Sequence, residues 1–317
     1  MIERKNLRII FMGTPEFAVG SLERMVANGY NVVAVVTQPD RPIGRHGSIL
    51  QPSPVKQFAL SKGIPVLQPE RMKDDIFISQ LSAYQADLQV VVAFRMLPEA
   101  VWSMPRFGTF NVHASLLPQY RGAAPINWAV INGERRTGVT TFFLDEHIDT
   151  GRIILQRPFD IPEDADVEYV YNGLMALGAQ ACTDTIDLLL QGDGAVESIP
   201  QPQSTQLKAA PKIFKETCEI NWNLPAVQIH NFIRGLSPSP GAWCTFGNST
   251  LKIFQSALTG HPCNNAERGE HTAPGTFKSE SHILLVSTSD EWLEIKSLQL
   301  AGKKRIDARS FLNGRPL

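Results

Sequence analysis

Short, almost wholly apolar runs recur through the first half of the chain, each followed by a polar turn. They cover residues 7–12, 31–37, 87–94 and 138–144, and a short strand that alternates polar and apolar residues is predicted between them at 109–113. Strands that are apolar on both faces are typical of parallel sheets, in which helices cover both sides. Segments with apolar residues at helical spacing accompany them, at 73–84 and 165–191. The pattern predicts an α/β fold with a doubly wound, Rossmann-like and mostly parallel sheet.

The pattern changes in the last third of the chain. A segment rich in Gln, Pro and Ser, at 198–210, precedes a helix-like stretch at 225–235. Short β-like runs separated by Gly, Pro and Asn turns then follow, at 242–246, 250–254, 282–287 and 292–298. Such runs are typical of small all-β domains and predict an OB-like β-barrel. We expect a first domain at 1–195, a linker at 196–212 and a C-terminal domain at 213–317.

Composition and cysteine spacing limit the class of protein. With 43% hydrophobic and 19% charged residues, the chain can bury sizeable cores. No apolar run reaches the roughly 18 residues that a membrane span needs, so we expect no membrane segment. The four cysteines, at positions 182, 218, 244 and 263, form no C-x-x-C pair. This spacing favours free thiols in a reducing cytoplasm over disulfides or a metal site.

Three polar side chains follow predicted strands at positions suited to chemistry. Asn111 and His113 lie two residues apart in the run 109–113, so they project from the same face. Asp149 comes after the run 138–144. Because ligands of open α/β sheets bind outside the carboxyl ends of strands, we expect the three side chains to meet there. Taken singly, such a histidine is more often structural and such an aspartate more often a turn former.

Together these side chains match what transfer of a one-carbon acyl group to an amine requires. An Asn amide can donate to the carbonyl oxygen as it gains negative charge, and a His can accept the proton that the amine loses. A carboxylate beside the His stabilises the imidazolium. The chain has no G-x-S-x-G motif, and this chemistry needs no Ser or Cys nucleophile. We therefore expect direct transfer without an acyl-enzyme.

Two basic features could meet an anionic partner. Residues 38–48 show no periodicity and predict a long surface loop, in which Arg41, Arg45 and His46 could contact phosphate. A merely solvated loop fits the same residues equally well. Residues 196–317 contain 13 Lys and Arg against 10 Asp and Glu, an excess that permits an anionic partner without requiring one.

Two of these stretches resemble a known family. Residues 111–118, N-V-H-A-S-L-L-P, and the D-T-G at 149–151 resemble the signature of formyltransferases that use 10-formyltetrahydrofolate. Further stretches resemble the methionyl-tRNA formyltransferases within that class, and they extend into the second domain. They lie at 11–18, 37–45, 52–56, 121–126, 212–222 and 302–304.

The resemblance implies an enzyme that transfers a formyl group from 10-formyltetrahydrofolate to the α-amino group of initiator methionyl-tRNA. It implies Asn111, His113 and Asp149 as the catalytic set, with no metal. The residues implied for folate are Ser115, Leu116, Leu117, Pro118, Phe94, Arg95, Met96 and Leu97. Those implied for the tRNA are Arg41, Arg45, His46, Lys208, Lys212, Lys303 and Lys304. The first domain would be catalytic and the barrel would bind tRNA. We expect a cytoplasmic monomer.

Two other functions stay open. One is formylation of a small amine, such as an amino-sugar nucleotide, which would not need the loop at 38–48 or a basic barrel. The other is a folate-binding or RNA-binding module without catalysis, which would tolerate loss of His113.

Overall fold

The structure is a computed structural model that describes residues 3–43, 49–203, 206–263 and 272–314. The chain divides into two compact units. The first comprises Met1–Gly122, Thr137–Asp160 and Tyr171–Ala209, and the second comprises Ala123–Arg136, Ile161–Val170 and Ala210–Leu317. The domain boundaries expected at residues 195 and 212 stay a prediction.

The strands and helices of the N-terminal part follow the predicted alternation. The strands are β1 Ile9–Gly13, β2 Val32–Val36, β3 Arg41–Ile43, β4 Ile49–Gln51, β5 Val66–Leu67, β6 Leu88–Val92, β7 Thr109–His113, β8 Arg121–Gly122, β9 Arg136–Phe143 and β10 Ile153–Asp160. The helices are α1 Glu16–Ala27, α2 Pro54–Ser61, α3 Asp75–Ala83, α4 Glu99–Trp102, α5 Pro125–Ile131 and α6 Val167–Gln191.

A seven-stranded sheet in the order β10-β9-β7-β6-β1-β2-β5 organises the first unit. Neighbouring strands from β5 to β7 are parallel, whereas β9 is antiparallel to β7. Every residue of β1 and β6 is buried, as expected for strands with helices on both faces. The prediction of a Rossmann-like, mostly parallel sheet is confirmed.

The segment predicted as a structureless loop at 38–48 contains a strand, β3, whose partner, β4, begins just beyond the segment. β3 pairs antiparallel with β4, with Pro42 opposite Leu50. The base of this ribbon is fixed because Lys56 Nζ lies 2.6 Å from Asp40 Oδ2. Arg45 and His46 lie outside the described residues.

The C-terminal part is an antiparallel β-domain, as predicted. Its strands are β11 Ala209–Ala210, β12 Ala242–Phe246, β13 Ser249–Pro262, β14 Phe277–Glu280, β15 Ile283–Ser287, β16 Glu291–Leu300 and β17 Ile306–Asp307. Its helices are a 3-10 turn, Glu216–Cys218, α7 Ala226–Gly235 and α8 Ala308–Gly314. β12 to β16 pair in the order β12-β13-β16-β15-β14, with β17 added to β16, and β8 pairs with β11.

Shifts of register in β13 bend the sheet of the second unit. They fall between Ile253 and Ser256 and again after Leu258, and such bulges increase local twist. Ile229 and Ile233 of α7 and Phe311 of α8 belong to the same buried apolar cluster as residues of this sheet. Among the helices of the described ranges, none combines the length and the apolar character needed to cross a bilayer.

Candidate active site

β7 presents Asn111 and His113 on one face of the sheet, as predicted from their spacing. Across the antiparallel pair, Asn111 lies opposite Phe142 and His113 opposite Thr140. The Phe142 ring meets the imidazole edge to face, with centroids 6.4 Å apart. Both Phe142 and His113 are almost fully buried, so the imidazole is held by packing.

Asp149 follows the carboxyl end of β9, the neighbour of β7, but the expectation that the carboxyl ends of the two strands lie at the same edge of the sheet is wrong. Because β9 runs antiparallel to β7, its last residue, Phe143, lies beside Phe110 near the start of β7. Asp149 lies in the loop 144–152, which joins β9 to β10. The loop packs tightly against Phe143 at Gly151, where an added Cβ would lie 1.6 Å from the Phe143 carbonyl oxygen, so only glycine fits at this position.

A compact set of polar contacts joins His113 to Asp149. The imidazole Nδ1 lies 3.8 Å from Asp149 Oδ2, and the two side chains are 7% and 13% exposed. On its other side, Nε2 lies 2.9 Å from the Tyr120 carbonyl oxygen. Asp149 Oδ2 also accepts a hydrogen bond of 2.9 Å from the Gly122 backbone N–H.

These contacts decide which ring nitrogen can act as a base. A carbonyl oxygen can only accept, so Nε2 must carry the proton that it shares with Tyr120. Nδ1 is then the nitrogen left to accept a proton, and it faces the carboxylate of Asp149. After protonation of Nδ1, each ring nitrogen would face an acceptor, the Tyr120 carbonyl at Nε2 and the Asp149 carboxylate at Nδ1.

The amide oxygen of Asn111 is available to accept a hydrogen bond from a ligand. Its Oδ1 is buried and, within the described part of the chain, has no hydrogen-bond partner. Buried polar atoms without a partner are rare and call for an explanation. A ligand amine whose N–H donates to Oδ1 would supply one.

Backbone strain collects around these side chains. Of the seven non-glycine residues with positive φ in the described ranges, three are Ala93, Tyr120 and Asp149, with φ of 46°, 60° and 55°. Ala93 follows β6, whereas Tyr120 and Asp149 flank His113. Such conformations persist where surrounding structure enforces them, and they concentrate at functional sites.

Comparison with known proteins identifies the family of this chain. Residues 6–186 match the family described as Formyl transferase, and residues 212–316 match the Formyl transferase C-terminal domain. A methionyl-tRNA formyltransferase of Parabacteroides distasonis is 54% identical, covering 99% of this chain and 97% of that protein. One of Bacteroides fragilis is 50% identical, covering 99% and 96%. The chain belongs to the methionyl-tRNA formyltransferase family.

Solved structures share the fold at lower identity. WlaRD, a sugar 3N-formyl transferase, superposes with a TM-score of 0.66 at 20% identity, covering 94% of this chain and 99% of that one. HypX from Aquifex aeolicus, solved with tetrahydrofolic acid, gives a TM-score of 0.63 at 16% identity. The match covers 96% of this chain but only 46% of the HypX chain.

The predicted folate residues at 115–118 lie in the turn that follows β7. Ser115 is fully buried and its Oγ donates to the Gln119 carbonyl at 2.7 Å. Leu117 packs against Phe142 and Ile153. Leu116 and Pro118 are partly exposed. Within this turn, the buried side chains shape the site and the half-exposed ones leave surface for a ligand.

The second predicted folate segment, 94–97, follows β6. Met96 is 69% exposed, whereas Leu97 is buried. Met96, Leu97 and Trp102 line a surface pocket of about 360 Å³, together with Met72, Lys73, Pro98, Glu99 and Glu146. This pocket is large enough for part of a folate-sized ligand.

Arg95 is held by backbone carbonyls rather than by a carboxylate. Its guanidinium donates to the carbonyl of Glu70 at 2.8 Å and to that of Pro69. Its Nε is buried and, among the described residues, has no partner. Burial lowers the pKa of this guanidinium from its ordinary value. Arg95 therefore braces the segment that carries Phe94 and Met96.

The described residues predicted to bind tRNA are exposed. Arg41 donates to Gln38 Oε1 at 3.0 Å, and Lys212 lies 5.4 Å from the centre of the Phe214 ring. Lys303 and Lys304 occupy the turn after β16, while Lys208 precedes β11. Surface positions of this kind are open to a phosphate backbone.

Sequence reasoning missed the backbone groups of the site. The carbonyl of Tyr120 and the N–H of Gly122 hold His113 and Asp149, yet main-chain groups leave no mark in residue types. The described ranges contain no group of three or more His, Cys, Asp or Glu side chains that could hold a metal ion.

Proposed function

We propose that this protein transfers the formyl group of 10-formyltetrahydrofolate to the α-amino group of methionine carried by initiator methionyl-tRNA. The observation that carries the proposal is the identity of 54% with a methionyl-tRNA formyltransferase over 99% of this chain. Both family domains match as well. We place the enzyme in the cytoplasm as a monomer, with free cysteines at all four positions.

The domain division is part of this proposal. Residues 1–195 form the catalytic domain, 196–212 the linker and 213–317 the tRNA-binding domain. The match of the C-terminal family domain to residues 212–316 supports the last boundary.

His113 acts as the general base. The attacking α-amino group has an ordinary pKa near about 7.7–8.0, so removal of one proton suffices to complete the transfer. Nδ1 accepts that proton, because Nε2 is committed to the Tyr120 carbonyl. Asp149, with its carboxylate 3.8 Å from Nδ1, stabilises the imidazolium that results.

Asn111 holds the oxygen of the formyl group. Its carboxamide lies on the same face as His113, and its oxygen is buried without a described partner. The amide N–H can donate to an oxygen on which negative charge develops. The free Oδ1 can in turn accept a hydrogen bond from the incoming amine.

When it is bound, the folate co-substrate supplies an activated one-carbon acyl group. As the amine nitrogen bonds to the formyl carbon, the bond between that carbon and the folate nitrogen breaks, and tetrahydrofolate leaves with the proton that His113 took from the amine. We assign its binding surface to Phe94, Arg95, Met96 and Leu97 on one side and to Ser115, Leu116, Leu117 and Pro118 on the other. The exposed Met96 and the adjacent pocket of about 360 Å³ support this assignment.

The tRNA-binding residues are Arg41, Arg45 and His46 in the first domain, with Lys208, Lys212, Lys303 and Lys304 towards the C-terminus. The exposure of the described members of this set supports the assignment. If they contact phosphates, binding weakens as salt concentration rises, by an amount that scales with the number of contacts.

A parallel substrate assay tests the proposed function. The protein is given 10-formyltetrahydrofolate with charged initiator tRNA, free methionine or an amino-sugar nucleotide. We expect rapid formylation of the tRNA alone. Preferential formylation of the sugar nucleotide would contradict the proposal, and an absence of any formylation would favour a binding module without catalysis.

A histidine pair provides the matched control for the mechanism. His113→Ala removes the base and should abolish turnover while tRNA binding survives. His147→Ala changes an exposed histidine of the same loop as Asp149 and should leave turnover unchanged. Near-normal turnover of the His113→Ala protein would refute the assignment of the base.

A further inference from the structure

The side-chain amide of Gln201 joins the loop of Asp149 to Arg121. Its Nε2 donates to the carbonyl oxygens of Asp149 and Gly151, at 2.8 and 2.9 Å. Its Oε1 accepts from Nε and Nη2 of Arg121, at 3.1 and 2.5 Å. Because a guanidinium only donates and a carbonyl only accepts, a single orientation of the amide satisfies all four contacts.

These contacts act on a strained part of the backbone. Asp149 has a φ of 55°, which costs free energy for any residue with a Cβ unless neighbouring structure enforces it. The Gly122 N–H holds the carboxylate of Asp149, and Gln201 holds its carbonyl. Gln201 thus fixes the main chain from which the carboxylate reaches His113.

The same chain segment also supports the other side of His113. Tyr120, whose carbonyl binds the imidazole, donates its own N–H to the Lys208 carbonyl at 2.6 Å. The Lys208 N–H in turn donates to Gln119 Oε1 at 2.8 Å. Gln201 and Lys208 therefore contact the two partners of the imidazole, although they lie in a segment whose composition is typical of a linker.

We propose that Gln201 is a positioning residue for formyl transfer, oriented by Arg121 and acting through Asp149. The inference rests on the proposed function, since it takes Asp149 to be the partner of a catalytic His113. Gln201 touches neither substrate. Its loss should therefore affect the chemical step and leave substrate binding intact.

Gln201→Met is the variant that tests this role, because it keeps the length of the side chain and removes all four hydrogen bonds. We expect kcat to fall on the order of 10- to 100-fold, as expected for a misplacement of about 1 Å in a catalytic group. KM should change by less than about twofold for each substrate. Arg121→Met leaves the two bonds from Nε2 in place and should have a smaller effect on kcat.

Gln203→Met is the matched control. Gln203 lies two positions further along and is exposed, so this variant should keep the kcat, both KM values and the thermal stability of the wild type. A Gln201→Met protein with unchanged kcat, or one whose loss appears only in KM, would overturn the proposal. So would a loss of thermal stability sufficient to account for the missing activity.

Hydrogen exchange gives a readout that does not depend on activity. In the ligand-free protein, the Gly122 N–H is protected by Asp149 Oδ2. We expect its exchange to accelerate at least about tenfold in Gln201→Met and to stay unchanged in Gln203→Met. Equal protection in the wild type and Gln201→Met would overturn the inference. Wild-type protein that formylates no tRNA would instead refute the proposed function.

Discussion

Asp149→Asn separates the charge of Asp149 from its structural contacts. Asparagine tolerates the left-handed φ of 55°, and its amide oxygen can still accept from the Gly122 N–H. What the variant loses is a negative charge 3.8 Å from His113 Nδ1. The substitution therefore isolates the electrostatic part of the proposed mechanism.

The expected magnitude follows from that distance. At 3.8 Å and an effective dielectric constant of about 20, a carboxylate and an imidazolium attract each other by about 4 kcal/mol. The asparagine dipole and residual solvent recover part of this energy. Since about 1.4 kcal/mol corresponds to a tenfold change in rate, turnover should fall about 10²- to 10³-fold.

Single-turnover formylation of methionyl-tRNA, with both substrates saturating, measures this rate. Asp193→Asn is the matched control, because Asp193 has the same φ of 55° beyond the end of α6, and it should retain the wild-type rate. A rate for Asp149→Asn within about fivefold of the wild type would refute the electrostatic role of Asp149. Thermal unfolding should place both variants close to the wild type.

Three further predictions concern the loop, the ribbon and the cysteines. Gly151→Ala places a Cβ 1.6 Å from the Phe143 carbonyl oxygen. The free energy of unfolding, measured by heat or denaturant, should therefore fall by about 1–3 kcal/mol, and turnover should fall with it. An unchanged free energy of unfolding would contradict the geometry. Lys56 and Gln68 hold the pKa of Asp40 below 3.8, so its contribution to stability is full above that pH and is lost as the pH falls through the lowered value. Asp40→Asn should therefore flatten the acid side of the profile of melting temperature against pH, measured from about pH 6 to about pH 2, and an unchanged profile would exclude this contribution. Burial raises the pKa of Cys244 to about 12 and raises that of Cys182 as well. Ellman's reagent should therefore react slowly with the folded protein. After unfolding it should titrate four thiols, and fewer than four would indicate a disulfide.

The bounds of strands and helices were predicted well where the local pattern of apolar and polar residues determines them. The run at 109–113 became β7 and the run at 242–246 became β12, with the same bounds. The helix predicted at 225–235 begins one residue later, as α7. In each case a periodic apolar pattern has a Gly or Pro at one end or at both, so the local signal is strong.

Strand direction and the path of the loop 144–152 were not predictable in this way. An apolar strand looks the same in either direction, so nothing at 138–144 marks β9 as antiparallel. Asp149 was selected for its carboxylate and its place after a predicted strand, and its catalytic role stays a prediction. Its approach depends on a return at Gly151 that only the packing against Phe143 explains.

Long-range hydrogen bonds were also not predictable, because their partners lie far apart along the chain. Gln201 lies 52 residues from Asp149, in a segment whose Gln, Pro and Ser content is typical of a linker. The short elements β14, β17 and α8 were also not predicted, because each is too short to show a period of apolar residues.

The measurement that tests the central claim most directly follows a labelled formyl group. Wild type and His113→Ala are each mixed with labelled 10-formyltetrahydrofolate and charged initiator tRNA, and the amino acid is then released from the tRNA and identified. The account predicts labelled N-formylmethionine from the wild type, and from His113→Ala only a trace, at unchanged tRNA affinity. Comparable label from both proteins would contradict catalysis at His113, and label recovered only on a small amine would contradict the proposed substrate.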